Sequence, residues 1–181
     1  MSTSPFKTLT SRIAWSCPWY HVRQDDIIMP DGEQGIYNVI EHPGAVWIIP
    51  VTPDGNIVLI NSYRYTVDDW CIEIPAGGIK PDQSLEEAAR AELLEEVGGT
   101  AVTLEKVAQF YTMNGIGNEV AHVFLATGVT LGPTNHESAE VLELFPTPIN
   151  KALHMARSNK MSDGPSALAL LLCADRLTAL L

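Results

Sequence analysis

Basic residues are scarce in this sequence. The 181 residues include 11 lysines and arginines against 22 aspartates and glutamates, which gives a net charge of −11. Proteins that bind nucleic acid neutralise its phosphates with clustered lysine and arginine, and the sequence has no basic stripe of that kind. We therefore expect no nucleic-acid partner. A small phosphate-bearing ligand remains possible in principle, because a bound divalent cation can reverse the local electrostatic field.

Cysteine and histidine patterns typical of zinc sites and disulfide frameworks are also missing. The three cysteines, Cys17, Cys71 and Cys173, are scattered and form no C-x-x-C pair. The five histidines show neither H-x-x-x-H nor H-E-x-x-H spacing, which argues against zinc-hydrolase chemistry. We interpret the cysteines as free thiols in a reducing cytoplasm.

No hydrophobic run is long enough to span a membrane. The most apolar stretch, SALALLLCADRLTALL at residues 166–181, is interrupted by Asp175 and Arg176 and is too short to cross a bilayer. The segment MSTSPFKTLTSR lacks the apolar core of a signal peptide. We expect a cytoplasmic protein without a membrane partner.

Strand patterns dominate the first third of the chain, and helices become frequent later. Asp-Gly turns at PDGEQ and PDGN separate β-rich runs, which predicts hairpins. Ser84 and Glu87 form an S-x-x-E capping box and Gly98 supplies a left-handed stop, so we predict a helix from about Ser84 to Val97. Two more helices, over INKALHMARSN and PSALALLLCADRLTALL, close the chain. This order predicts an α+β fold, with a mixed sheet between helices and an N-terminal antiparallel β appendage.

The predicted central helix concentrates negative charge near its C-terminal end. Glu92 and Glu96 are four residues apart and lie one above the other, with Glu95 beside them. This spacing destabilises a helix, and the helix macrodipole also disfavours anions at its C-terminus. Two interpretations stay open: a solvated acidic face, or a hard cation such as Mg²⁺ or Mn²⁺ held by carboxylate and carbonyl oxygens. The turn PAGG at residues 75–78 could bring backbone carbonyls to the same ion.

The stretch EIPAGGIKPDQSLEEAARAELLEEVGG, residues 73–99, resembles the Nudix box of diphosphate hydrolases, G-x5-E-x7-R-E-U-x-E-E-x-G-U, with U a bulky apolar residue. Five diagnostic positions of the pattern are kept: Gly77, Glu92, Glu95, Glu96 and Gly98. The lead-in EIPAG is similar to the ADP-ribose pyrophosphatase branch of that family. The resemblance implies a Nudix-type α/β/α sandwich, with Mg²⁺, or Mn²⁺, held by Glu92, Glu96, Glu95 and the carbonyl of Ala76.

Three positions depart from the box. Gln83 replaces its first glutamate, Ala91 its arginine and Gly99 its last apolar residue. In the family the arginine helps to orient a glutamate of the box. Arg90 is one residue away and is turned by about 100° around a helix, which makes it a poor substitute. An active but differently tuned enzyme and a non-catalytic nucleotide-binding descendant are therefore both considered.

The resemblance also extends outside the box. LINSYRY keeps an arginine, Arg64, whose planar fork suits a phosphate, although a structural ion pair explains it equally well. By the resemblance, Arg64, Gly77 and Glu119 would contact substrate. The loop GPTNHESAEVLEL would supply the general base, either Glu140 or Glu137, with Glu95 as a further catalytic group; Glu140 fits better by its spacing to VLEL.

The function implied is Mg²⁺-dependent hydrolysis of the diphosphate bond of a nucleoside diphosphate derivative, with ADP-ribose converted to AMP and ribose 5-phosphate as the leading case. Another nucleoside diphosphate sugar, such as GDP-mannose, is the alternative substrate. We assign residues 1–43 to an N-terminal β segment and residues 44–181 to the catalytic domain. Related enzymes exchange such N-terminal segments, so we expect a homodimer.

Overall fold

The computed structural model describes residues 4–135 and 141–181. The chain forms two compact units. The first comprises Met1–Gly44 and Tyr111–Val120, and the second comprises Ala45–Phe110 and Ala121–Leu181. The first unit thus includes residues 111–120, which lie within the predicted catalytic domain of residues 44–181.

Twelve strands and four helices are present in the described residues. The strands are β1 Lys7–Ser16, β2 His21–Ile28, β3 Gln34–Glu41, β4 Ala45–Val51, β5 Asn56–Arg64, β6 Asp69–Glu73, β7 Ala76–Gly78, β8 Gly99–Thr100, β9 Thr103–Tyr111, β10 Val120–Thr127, β11 Thr130–Leu131 and β12 Leu142–Pro148. The helices are α1 Leu85–Val97, α2 Ile149–Arg157, α3 Gly164–Leu172 and α4 Ala174–Thr178. Within the described part of the chain, no helix combines the length and apolar character that a membrane span needs.

The first unit is built on an antiparallel sheet in the order β1-β2-β3. The run IAWSCPWYHVRQDDIIM is divided between β1 and β2, because the chain turns at residues 17–20, where the Cys17 amide donates to the Tyr20 carbonyl at 3.1 Å. The segment 111–120 joins this unit through Ile40, whose amide donates to the Ile116 carbonyl at 2.8 Å. The N-terminal antiparallel sheet predicted from the sequence is confirmed.

The second unit contains a seven-stranded mixed sheet with helices on both faces. Its main order is β12-β5-β4-β10-β9, with β6 added to β5 and β7 to β4. Strands β4 and β10 are parallel, whereas β5 is antiparallel to β12 and β6. This mixed sheet confirms the predicted α+β class.

Side chains of the central strands alternate between two apolar layers, as the two-residue period of a strand requires. On β4, Trp47 and Ile49 belong to the layer that holds Leu153 of α2 and Leu170 of α3. Val46 and Ile48, in contrast, belong to the layer that holds Ala89 and Leu93 of α1. Helix α1 therefore covers one face of the sheet and α2–α4 cover the other, as the sandwich predicts.

Helix α1 begins and ends where the sequence predicts. Ser84 is its N-cap and forms the reciprocal capping box with Glu87, and Gly98 stops it in the left-handed conformation at φ 63°. The C-terminal helix predicted as one segment is instead two. Cys173, with φ −97° and ψ 6°, lies between α3 and α4, outside the helical region.

Candidate active site

The loop before helix α1 is tied to both the sheet and the helix. Strand β7 pairs with β4, with Gly77 opposite Val46. The backbone amide of Ala76 donates a hydrogen bond of 2.9 Å to Oε2 of Glu96 on α1. Glu96 is only 5% exposed. A carboxylate so deeply buried needs polar partners, and the amide of Ala76 is one of them.

Glu92 lies one helical turn before Glu96 and contacts the same loop. A Cβ atom added to Gly77 would overlap the Glu92 carboxyl group. The absence of a side chain at Gly77 therefore makes the room that Glu92 occupies. The two carboxylates, four residues apart on α1, are therefore both placed against residues 76–77.

Gln83, which departs from the Nudix box, and Arg90, which precedes the altered position 91, both have local partners. Arg90 donates to Glu86 at 2.8 Å through Nη2, so it belongs to an exposed ion pair on α1. The Gln83 side-chain oxygen accepts from the Lys80 amide at 3.1 Å, which closes the turn before the helix. The poor fit of Arg90 as a substitute for the box arginine agrees with this geometry.

Arg64, at the end of β5, forms an ion pair with Glu73 of β6. Nε donates to Oε1 at 2.9 Å, and Nη2 donates to Oε2. The Glu73 side chain is 6% exposed and that of Arg64 is 46% exposed. This bond to Glu73 is the main cause of a raised Arg64 pKa, to which the charge of Glu96 contributes. Arg64 thus takes part in a structural ion pair, the explanation left open beside phosphate binding.

The general-base candidates Glu137 and Glu140 lie outside the described residues, whereas both flanks of their segment are described. On the N-terminal side, the Asn135 amide donates to the carbonyl of Glu95 on α1 at 3.0 Å. On the C-terminal side, the Val141 carbonyl accepts from the amide of Tyr63 at 2.9 Å, next to Arg64. Each flank is therefore attached to an element that carries a candidate site residue.

Glu119 belongs to the first unit. There its Oε2 accepts from the Thr112 hydroxyl at 2.5 Å, and its Oε1 lies 3.1 Å from Nδ1 of His42. The other candidates, Arg64, Ala76, Gly77, Glu92, Glu95 and Glu96, belong to the second unit.

The donors in the second unit suit a hard cation. In residues 4–135 and 141–181, no group of three or more His, Cys, Asp or Glu side chains is arranged to hold a metal, which disfavours a closed protein cage such as a structural zinc site. Mg²⁺ instead keeps several waters and takes one or two carboxylates together with substrate phosphates. Glu92 and Glu96, two carboxylates placed against residues 76–77, fit that requirement.

The family model described as NUDIX domain matches residues 41–164. The chain belongs to the NUDIX family. A second model, described as nucleoside diphosphate sugar hydrolase N-terminal domain, matches residues 6–40. The resemblance drawn from residues 73–99 is confirmed, and the chain is a Nudix hydrolase.

Among the curated relatives, the ADP-ribose pyrophosphatase of Bacillus subtilis is 31% identical over 166 residues, covering 91% of this chain and 90% of that protein. The ADP-ribose pyrophosphatase of Mycobacterium tuberculosis is 34% identical over 149 residues, covering 78% and 70%. The GDP-mannose pyrophosphatase of Salmonella arizonae is 31% identical over 139 residues, covering 70% and 71%.

One solved structure, titled "Crystal structure of ADP compounds hydrolase", superposes on this Nudix hydrolase with a TM-score of 0.84. Its sequence is 21% identical, and the match covers 99% of this chain and 97% of that chain. At this identity the likeness supports the fold, and it agrees with the mixed sheet and N-terminal antiparallel sheet described above.

One charged residue beside the site, Glu73, is not among the residues predicted from the sequence. Glu73 is 4% exposed. A signal was available, because Glu73 is the one ionisable carboxylate between Cys71 and Pro75, in a segment that is otherwise apolar. A carboxylate in a buried strand is rare unless it is paired, so the pattern predicts a cation nearby.

Proposed function

We propose that this Nudix hydrolase cleaves the diphosphate bond of a nucleoside diphosphate sugar, with ADP-ribose as the preferred substrate and AMP and ribose 5-phosphate as products. The substrate class is supported by relatives named ADP-ribose pyrophosphatase that cover most of this chain. It is also supported by the N-terminal match to the nucleoside diphosphate sugar hydrolase model.

The observation that carries the proposal is the placement of two carboxylates against one loop. Glu96 accepts from the Ala76 amide, and Glu92 fills the space beside Gly77. Both belong to the same helix, one turn apart. The C-terminal end of a helix disfavours negative charge. Two carboxylates held there are therefore suited to bind a cation, which can in turn bind an anionic ligand.

Glu92 and Glu96, with the carbonyl of Ala76, would hold Mg²⁺, and Mn²⁺ would suit the same oxygens. Glu95 would act as a further catalytic group and not as a third carboxylate ligand, since no three such side chains are grouped for a metal in the described residues. Such an ion neutralises diphosphate charge and favours attack by water at phosphorus. It also explains how a chain of net charge −11 binds an anionic substrate.

Two further residues of the second unit have roles beside this centre. Arg64 would donate to a phosphate oxygen with the part of its guanidinium that faces away from Glu73, and Gly77 would let the substrate approach the backbone. Glu140 would take the proton of the attacking water. It is bonded directly to Val141, which the Tyr63 amide anchors, and Glu137 is three residues further from that anchor.

GDP-mannose is the second candidate substrate. It is favoured by relatives named GDP-mannose pyrophosphatase in Salmonella arizonae and Yersinia enterocolitica, which are 31% and 27% identical over 139 and 136 residues. The chemistry at phosphorus would be the same, and only contacts to the base and sugar would differ.

The deciding experiment incubates the enzyme with a panel of nucleoside diphosphate sugars, with and without Mg²⁺, and separates the nucleotide products by ion-exchange chromatography. We expect AMP from ADP-ribose, produced with kcat/KM at least tenfold above that for GDP-mannose, and no product when EDTA removes the metal. A larger kcat/KM for GDP-mannose would establish the second candidate. Absence of turnover across the whole panel would refute the proposed substrate class.

We further propose that the enzyme is a cytoplasmic homodimer whose contact is formed by strand β1. All ten residues of β1 are exposed, and they include Leu9, Ile13 and Trp15 at 46%, 53% and 52% exposure. β1 is an edge strand of its sheet, and long apolar edges need a cover. The three free thiols suit a reducing compartment.

A further inference from the structure

The pairing of β5 with β6 places Glu73 and Arg64 on one face of the sheet. Glu73 lies opposite Ile60, and residues directly opposite in antiparallel strands share a face. Ile60 packs in the same apolar layer as Leu93 of α1. Arg64 is four residues beyond Ile60, an even number, so it also projects toward the α1 face.

Glu73 holds the guanidinium of Arg64 with two charge-assisted hydrogen bonds, from Nε and Nη2. Such a two-point contact fixes the plane of the guanidinium as well as its position. Because the Glu73 side chain is 6% exposed, it is anchored by its burial. The anchored partner is therefore Glu73, and the residue it orients is Arg64.

A second buried carboxylate lies on this face. Glu96 is 5% exposed and accepts from the amide of Ala76, three residues after Glu73. After Glu73, the charge of Glu96 is among those that raise the Arg64 pKa. One guanidinium thus lies in the field of two buried carboxylates, one of which it binds directly.

Helix α1 has no arginine at the position that the Nudix box prescribes. Position 91, where the Nudix box has arginine, is Ala91, and Arg90 donates to Glu86 on an exposed face. Position 91 therefore offers no guanidinium, whereas β5 brings one, that of Arg64, to the α1 face of the sheet.

We propose that Glu73 is a positioning residue of this Nudix site: its carboxylate fixes the Arg64 guanidinium on the α1 face of the sheet, and Arg64 replaces the arginine that α1 lacks at Ala91. The effect on turnover rests on the proposed diphosphate hydrolysis. The effect on the orientation of Glu96 does not, so the two are measured separately.

The kinetic test compares Glu73→Gln and Arg64→Lys with the same variants carrying Ala91→Arg. Glu73→Gln keeps the side-chain volume but loses the charge, and Arg64→Lys keeps the charge but loses the fork. We expect each to lower kcat about tenfold, and added Ala91→Arg to recover kcat at least threefold by returning a guanidinium to the helix. Unchanged kcat and KM in both single variants, or no recovery by Ala91→Arg, would overturn the proposal.

Glu105→Gln is the matched control. It removes the carboxylate partner of another arginine, Arg176, from an exposed pair with an Nη1–Oε1 distance of 2.8 Å. We expect kcat and KM to stay within twofold of the wild type. A merely structural role for Glu73 would lower the melting temperature alone and leave kcat and KM of the folded enzyme unchanged, which also counts against the proposal.

The orientation of Glu96 is followed without substrate or metal by the amide resonance of Ala76, which donates to Glu96. Arg64→Lys should shift this resonance and speed its hydrogen exchange, Ala91→Arg should reverse the shift, and Glu105→Gln should leave it in place. This measurement uses Arg64→Lys, whose half-exposed side chain makes loss of folding a minor risk. An unshifted Ala76 amide refutes the positioning role, whereas absent turnover in the wild type refutes only the proposed function.

Discussion

The carboxyl group of Glu92 occupies the space in which a side chain at Gly77 would stand. Gly77 is not one of the glycines with positive φ, so the backbone conformation alone does not require glycine there. What requires it is the approach of the helix side chain to the loop. The glycine and glutamate of the box therefore form one structural feature, although fourteen residues lie between them in the sequence.

We expect Gly77→Ala to impair catalysis more than stability. The new methyl group would displace the end of a flexible side chain, the Glu92 carboxylate, which can rotate away without disturbing the core. The melting temperature should change by no more than about 3 °C, and kcat/KM should fall at least tenfold. Gly164→Ala is the control, because a Cβ at Gly164 meets nothing within 4 Å. Equal activity in the two variants would contradict the assigned role of Glu92.

The helix and its caps could be predicted because their signals are local. Ser84, Glu87 and Gly98 act within a few residues of their partners, and the alternation of β4, β5 and β10 follows from strand geometry. The candidate ligands Glu92 and Glu96 were found for the same reason, since helical spacing fixes their common face.

The pairing of Arg64 with Glu73 could not be predicted in the same way. It depends on the register of β5 against β6, and register is set by packing and turn geometry along both strands. The split of the last helix at Cys173 likewise has no local breaker such as glycine or proline. In both cases tertiary contacts decide between alternatives that the sequence pattern leaves equal.

Glu96→Gln should weaken the binding of metal more than it destabilises the fold. Glutamine keeps an oxygen that can accept from the Ala76 amide, whereas one negative charge is lost from the ligand set. We expect kcat to fall about 100-fold and the Mg²⁺ concentration for half-maximal rate to rise about tenfold. Glu86→Gln, on the exposed pair with Arg90, is the control on the same helix. Unaltered Mg²⁺ dependence in Glu96→Gln would show that Glu96 is not a ligand.

Gly98→Ala should destabilise the protein more than Gly55→Ala, although both glycines have positive φ. Gly98 has φ +63° and its added Cβ would overlap the backbone at Gly132, whereas Gly55 has φ +78° with nothing within 4 Å. Strain from φ alone should lower the free energy of unfolding by about 1–2 kcal/mol in each variant. The overlap with the Gly132 backbone should increase this loss of stability in Gly98→Ala to about 3 kcal/mol or more. Urea unfolding of both variants measures the difference, and equal losses would mean that the overlap relaxes freely.

The general base is tested by Glu140→Gln and Glu137→Gln. Because Val141 is anchored by the Tyr63 amide beside Arg64, we expect the residue bonded to it to act on the water. Glu140→Gln should lower kcat about 10²–10⁴-fold with little change in KM, the range for loss of a positioned base. Glu137→Gln should keep at least a third of the wild-type rate. The reverse order would move the role to Glu137.

Ile13→Glu on the edge strand β1 should convert the proposed dimer to a monomer. Ile13 is 53% exposed, and a buried charge at a dimer contact without a partner is strongly unfavourable. Light scattering after gel filtration should give about twice the chain mass of 19.7 kDa for the wild type and about one chain mass for the variant. Thr8→Glu adds the same charge at another exposed position of β1 and measures how far along the strand the contact extends. A wild-type protein that is monomeric at all concentrations would refute the dimer, and a variant that stays dimeric would place the contact away from Ile13.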